Sequence, residues 1–190
     1  NRLNHAERLL SEASSALKTM QEQLSEHLQT QPDIEWHFIG HVQRNKTKHL
    51  AEQFDWVHGV DRLIIAERLS NQRGDDQAAL NICLQVNIDG QDSKDGCAPE
   101  DVAELVAQMS QLPKIRLRGL MVIPAPDNTA AFVDAKKLFD AVKDQHAHPE
   151  EWDTLSMGMS GDLEAAIAAG STMVRVGTAL FGARDYSQKG

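Results

Sequence analysis

The chain has 190 residues, 41% of them hydrophobic and 25% charged, a globular composition with enough material for one sizeable core. A formal net charge of −9 argues against nucleic-acid binding through bulk electrostatics. No apolar run approaches a membrane span, no signal-peptide pattern opens the sequence, and Cys83 and Cys97 form no metal or redox motif, so a reducing, cytoplasmic setting fits best.

Residues 1 to about 29 have helical composition, with one apolar stripe through Leu3, Ala6, Leu9 and Leu10 and another through Leu17, Met20, Leu24 and Leu28. Ser11, Ser14 and Ser15 lie between the stripes, which do not join cleanly and so imply two helices or a break. Gln31-Pro-Asp33 is a turn. Glu35 to Ile39 reads as a short strand closed by Gly40, His41 to Gln53 as a polar helix, Asp55 to Val60 as a second strand and Arg62 to Asn71 as a helix. Leu80 to Ile88 is the strongest strand, with Leu80, Ile82, Leu84, Val86 and Ile88 on one alternation. A polar loop and a helix from Glu100 to Gln111 follow. Ile115 to Ile123 is a strand and Ala130 to Gln145 a helix. His146 and His148 near Glu150 read as a polar loop rather than a metal site.

The last forty residues carry the most information. Asp153 to Met157 is a strand, Gly158-Met-Ser-Gly161 a small-residue turn, Leu163 to Ala169 a helix started by Asp162 and stopped by Gly170, and Thr172 to Val176 a strand running into Gly177-Thr178. Two such turns close together place free backbone N–H groups side by side, with the hydroxyls of Ser160 and Thr178 added, and that suits an anion.

Strand and helix alternate throughout, which means parallel strands with helices packed outside. The rhythm allows an open doubly wound sheet or a closed barrel. No GxGxxG follows a strand and no P-loop is present, and six strands are visible where a barrel needs eight. In a barrel the C-terminal strand ends face the site. Those ends carry His37 and Gly40, then Gln43, Asn45 and Lys46; Asn87 and Asp89; Met121 and Pro124; Met157 to Ser160; and Arg175 to Thr178. Arg175 stands out because it interrupts an otherwise apolar strand, where an arginine needs a partner. It is either an outward or ion-paired residue or one aimed at a ligand. His37, between Trp36 and Phe38, reads as a satisfied core histidine or a site residue.

Several stretches together resemble the pyridoxal phosphate homeostasis proteins, single-domain relatives of the alanine racemase barrel. They are Glu35-Trp-His-Phe-Ile-Gly40 with Gln43 and Asn45-Lys46, Arg116-Leu-Arg-Gly-Leu-Met121 with Ile123-Pro124, Gly158-Met-Ser160 with Glu164 to Thr178, and Phe181-Gly-Ala-Arg-Asp-Tyr186. The resemblance implies a (β/α)8 TIM-type barrel of the alanine racemase type, here incomplete with its first two strands missing. It implies one domain over 1–190 that binds pyridoxal 5′-phosphate (PLP). By matching motif, Ser160 with Met159, and Gly177 with Thr178, would hold the phosphate, Arg175 would face the pyridine nitrogen, and His37 would lie in the cofactor site. The family is thought to carry, buffer or deliver PLP without turnover, with apo-PLP enzymes as partners. From the acidic surface and the lack of an obvious exposed apolar stripe a monomer is expected.

One departure matters. The family's first strand ends in a Ser-Lys-Thr-Lys type motif whose lysine carries the cofactor covalently, and its second strand has a Phe-Gly-Glu-Asn type motif. Neither occurs here, and Lys18, in what reads as a surface helix, is the sole lysine before Lys46. Covalent attachment is therefore left without a matching lysine. A segment absent near Leu10 to Ser15 would explain both this and the stripes that fail to join. It is preferred to a truly open barrel, whose exposed edges proteins normally avoid. Two other functions remain: a racemase-like enzyme, which would need that lysine and a second acid–base group, usually a tyrosine from another domain, where this sequence has one tyrosine, Tyr186, in its tail; and a cofactor-free regulatory remnant.

Overall fold

The computed structural model describes residues 34–91 and 94–182. The chain divides into two units, Asn1–Glu35 and Trp36–Gly190. The expected N-terminal helices, Lys18 and the turn at Pro32 lie outside the described residues, as does Tyr186. Of the first unit only Ile34 and Glu35 are described.

The second unit is one parallel sheet of six strands whose spatial order is the chain order. The strands are β1 (His37–Phe38), β2 (Trp56–Val60), β3 (Leu80–Val86), β4 (Ile115–Val122), β5 (Thr154–Met159) and β6 (Met173–Arg175). The helices between and after them are α1 (Thr47–Gln53), α2 (Leu63–Gln72), α3 (Val102–Met109), α4 (Ala130–Ala141), α5 (Leu163–Ala168) and α6 (Thr178–Phe181). Parallel neighbours need a crossover, and α1 to α5 supply the five on the outer face, while α6 follows the last strand. The result is the incomplete (β/α) barrel that the resemblance implied.

Two apolar clusters separate the faces of the sheet. The larger joins Ile82, Leu84, Val86, Leu120, Val122, Leu155 and Met157 to the helices through Leu50, Ile65, Leu69, Val102, Val106, Phe132 and Ala166. The alternation read in Leu80 to Val86 is this outer face. The smaller cluster, Trp56, Cys83 and Met121 with Ile123 and Met173 packed on it, lies apart from the helix-facing core and marks the inner face. Both cysteines are free and buried, and burial pushes each thiol up to about 12.

Three expected elements end differently. Residues 41–46 are not helical: Gly40 has φ +141°, and the N–H of Lys46 closes a turn on Gln43 O before α1 begins at Thr47. The hydroxyl of Thr47 then anchors that helix start by donating to Arg44 O at 3.0 Å. The helix from Ala130 stops at Ala141, and a 3-10 turn at Lys143–Gln145 follows. A 3-10 turn at Pro99–Asp101 likewise precedes α3, because proline suits a first turn. Large apolar side chains are also more exposed than expected on the last elements, namely Met159, Ile167, Val174, Leu180 and Phe181. Among the described residues no helix is long and apolar enough to cross a membrane.

Candidate functional site

The C-terminal strand ends bring two small-residue turns together. The turn after β5 runs through Ser160 and Gly161, and the turn after β6 through Gly177 into Thr178. Ser160 Oγ accepts the N–H of Ala179 at 3.1 Å, which ties the second turn to the first. Asp162 precedes α5 as expected, but its carboxylate accepts the N–H of Met159 at 2.7 Å rather than capping the helix. A Cβ built on Gly161 or Gly177 would meet nothing within 4 Å, so both turns border open space. Ser160 and Gly161 also line a groove of about 400 Å³ whose other walls include Asp127, Thr129, Asp162 and Glu164. The carboxylates of that groove disfavour an anion on its side of the turn.

Arg175 closes β6 and is half-buried. Its Nη1 donates to Ser156 Oγ at 2.8 Å and its Nη2 to Val122 O at 3.0 Å. It forms no ion pair among the described residues. Burial pushes its pKa down from the usual arginine value, against the pull of Cys83 and Asp162. A desolvated cation without a counter-ion is costly unless something complements it.

On β1, His37 stacks on Trp56 with ring centroids 5.2 Å apart and 10° between planes. Its Nδ1 lies 2.9 Å from His58 Nε2, and His58 Nδ1 lies 3.1 Å from Ser156 Oγ. Arg118 covers Trp56 at 5.0 Å and pairs with Asp153. His37 therefore packs with Trp56 and His58 rather than in the helix-facing core. His58 and Ser156 were not singled out in the sequence. Their signal was present, since each is a polar residue inside a fully buried strand stretch, but nothing local says that they meet.

Burial above all, with the neighbouring His37 and Arg175 adding to it, pushes the His58 imidazole down to about 3. The folded state thus prefers neutral His58, and its contribution to stability is present above the unfolded value of 6.5 and lost as pH falls below it. Between pH 7.5 and 5.5 the loss is about 1.4 kcal/mol. Urea unfolding at the two pH values is expected to show this difference, and His58→Asn should remove most of it. An unchanged slope in the variant would place the acid sensitivity elsewhere, with His146 the next candidate because burial lowers it too.

Of the remaining strand-end residues, Lys46 and Lys48 are exposed and apart from this cluster, with Lys48 3.8 Å from Glu52. Lys94 donates to Ile123 O at 3.0 Å near Asp89. Among the described residues no group of three or more histidine, cysteine and carboxylate side chains is placed to hold a metal ion.

The sequence model of the alanine racemase N-terminal domain matches residues 5–185. The chain is 56% identical over 155 residues to a pyridoxal phosphate homeostasis protein of Pseudomonas aeruginosa, covering 80% of this chain and 66% of the relative. It is 52% identical over 161 residues to the Escherichia coli K12 protein of the same name, covering 82% and 68%. The chain thus spans about two thirds of the length of the curated relatives it matches. Among solved structures it resembles PipY of Synechococcus elongatus PCC7942 with PLP bound, at 39% identity and a TM-score of 0.72 over 83% of this chain and 74% of that one.

Proposed function

The chain belongs to the family of the alanine racemase N-terminal domain, and from that premise we propose that it binds PLP on the inner face of the sheet and serves PLP homeostasis without turnover of its own. Arg175 is the observation that supports this best, a desolvated cation on the inner face with donors to spare and no ion pair among the described residues. When bound, PLP supplies an aldehyde and an electron-withdrawing ring. A guanidinium only donates hydrogen bonds, so Arg175 would hold a ring nitrogen in its unprotonated, accepting form. That choice weakens the ring as an electron sink and fits storage better than most PLP chemistry. The turns at Ser160-Gly161 and Gly177-Thr178 would hold the phosphate through N–H groups and hydroxyls, with Met159 at the rim. His37, stacked flat on Trp56, would border the ring. Release of the cofactor to apo-PLP enzymes is the partner relation this reading implies.

The relatives named above carry the PLP-homeostasis name, and PipY has been solved with PLP bound. Equilibrium dialysis of the purified chain against PLP tests the reading. Saturable one-to-one binding that inorganic phosphate competes away is expected, and no saturable binding at millimolar PLP would sink it. The double variant Ser160→Ala, Thr178→Val should weaken both PLP and phosphate by about fivefold, since two hydroxyls leave while the backbone donors remain. Unaltered phosphate binding in that variant would move the cup elsewhere.

A further inference from the structure

The contacts of His37, His58, Ser156 and Arg175 run in one line across the inner face. They join β1 and β2 at one end of the sheet to β5 and β6 at the other, through links of 2.9, 3.1 and 2.8 Å. The direction of donation along this line follows from the inventory of each group. A guanidinium has donors only, so Arg175 donates and Ser156 Oγ accepts. The hydroxyl proton of Ser156 then needs an acceptor, and its other neighbour is His58 Nδ1. Were Nδ1 protonated, the serine would accept twice and its own proton would have no partner. His58 Nδ1 is therefore the acceptor, Nε2 carries the proton, and Nε2–H donates to His37 Nδ1. In this direction each of the three links has one donor and one acceptor, and the Ser156 proton has a partner.

We propose that Ser156 and His58 are positioning residues which, through this one-way chain of hydrogen bonds, hold the Arg175 guanidinium at the ring end of the cofactor site. The proposal rests on the PLP reading given above. It adds two residues whose role is to orient another side chain rather than to touch the ligand. Val122 O holds Nη2 from the neighbouring strand. Ser156 holds Nη1, so the plane of the guanidinium is fixed by two points. Ser156 is itself fixed by His58, and His58 by its bond to His37. Removing the Ser156 hydroxyl frees one edge of the guanidinium and leaves His58 without its donor. The turns that hold phosphate are untouched.

The test combines a measurement on the free protein with a binding split. Nitrogen-15 NMR of the histidine rings, with His58 assigned through His58→Asn, is expected to show an unprotonated, hydrogen-bonded Nδ1 and a protonated Nε2. The opposite tautomer overturns the chain's direction whether or not PLP binds. Ser156→Ala should then weaken PLP by about tenfold, the loss of one charge-assisted hydrogen bond, while inorganic phosphate binds within about twofold of the wild type, a difference set well below one such bond. Ser156→Thr, which keeps the hydroxyl, should restore PLP binding. Wild-type PLP affinity in Ser156→Ala, or equal losses for PLP and phosphate, overturns the positioning role. Should Ser156→Ala fail to fold, His58→Leu supplies the same comparison, and wild-type PLP affinity there also overturns it. A wild-type chain that shows the expected tautomer and binds no PLP removes the PLP reading and leaves the hydrogen-bond chain as structure only.

Discussion

Arg175→Gln is expected to lower the affinity for PLP by about a hundredfold, or about 2.8 kcal/mol, the upper range for a hydrogen bond to a charged group. Glutamine keeps much of the length and one amide donor but loses the charge and the two-edged geometry. In the wild type one edge of the guanidinium serves Ser156 and Val122 O. Glutamine must choose between those partners and the ligand. Inorganic phosphate is expected to bind the variant as it binds the wild type, because in the proposed site the turns at Ser160 and Gly177, not Arg175, would form the cup. Arg175→Lys should not rescue, since an ammonium is a point charge without the planar fork. Dialysis with each ligand, alongside a thermal-unfolding control, reads all three outcomes. Equal PLP affinity in Arg175→Gln would remove this residue from the ring end of the site.

Gly119→Ala should destabilise the fold by more than about 4 kcal/mol, the range kept for backbone strain and overpacking in a core. A Cβ at this position would sit 1.7 Å from Thr154 O, 2.7 Å from Thr154 C and 2.9 Å from Phe139 Cε2. Two of those atoms are backbone of the adjacent strand, so no rotamer change relieves the contact. Gly119 pairs with Thr154 where β4 meets β5, followed by Leu120 with Leu155 and Met121 with Ser156. Pushing the first pair apart disturbs all three, and with them the strand that carries Ser156 and leads to Ser160. Urea unfolding should show the loss, and PLP retention should fall with it. A variant within about 1 kcal/mol of wild type, the size of a typical point-mutation effect, would mean that β4 and β5 are not held at this spacing.

Much of this arrangement is written in short-range pattern. Strand and helix alternate because buried runs such as Leu80 to Val86 are bounded by polar turns, and that rhythm suffices for a parallel sheet. Arg175 was conspicuous because a lone charge in an apolar strand demands a partner, and the small-residue turns announced themselves through glycine and serine. What stayed hidden depends on distance along the chain. His58 and Ser156 are 98 residues apart and meet because the sheet curves, which no local period encodes. Irregular register between Val57 and Val60 and between Ser156 and Met159 further hides which side chains share a level. The run from His41 to Lys46 was misread because its polar residues are compatible with helix, whereas Gly40 and the turn from Gln43 to Lys46 settle it as loop.

The identity of spatial and chain order in the sheet has a kinetic consequence. Each of strands β2 to β6 docks on the one translated just before it, so the loops closed at each step are short and the search is local. The sheet can therefore accrete vectorially during synthesis, its outer face covered helix by helix. The histidines arrive with the first described strands, but Ser160, Arg175 and Thr178 arrive with the last two. In the proposed site, cofactor capture would thus wait until accretion of the described strands is nearly finished, and partly made chains expose a growing sheet edge before then.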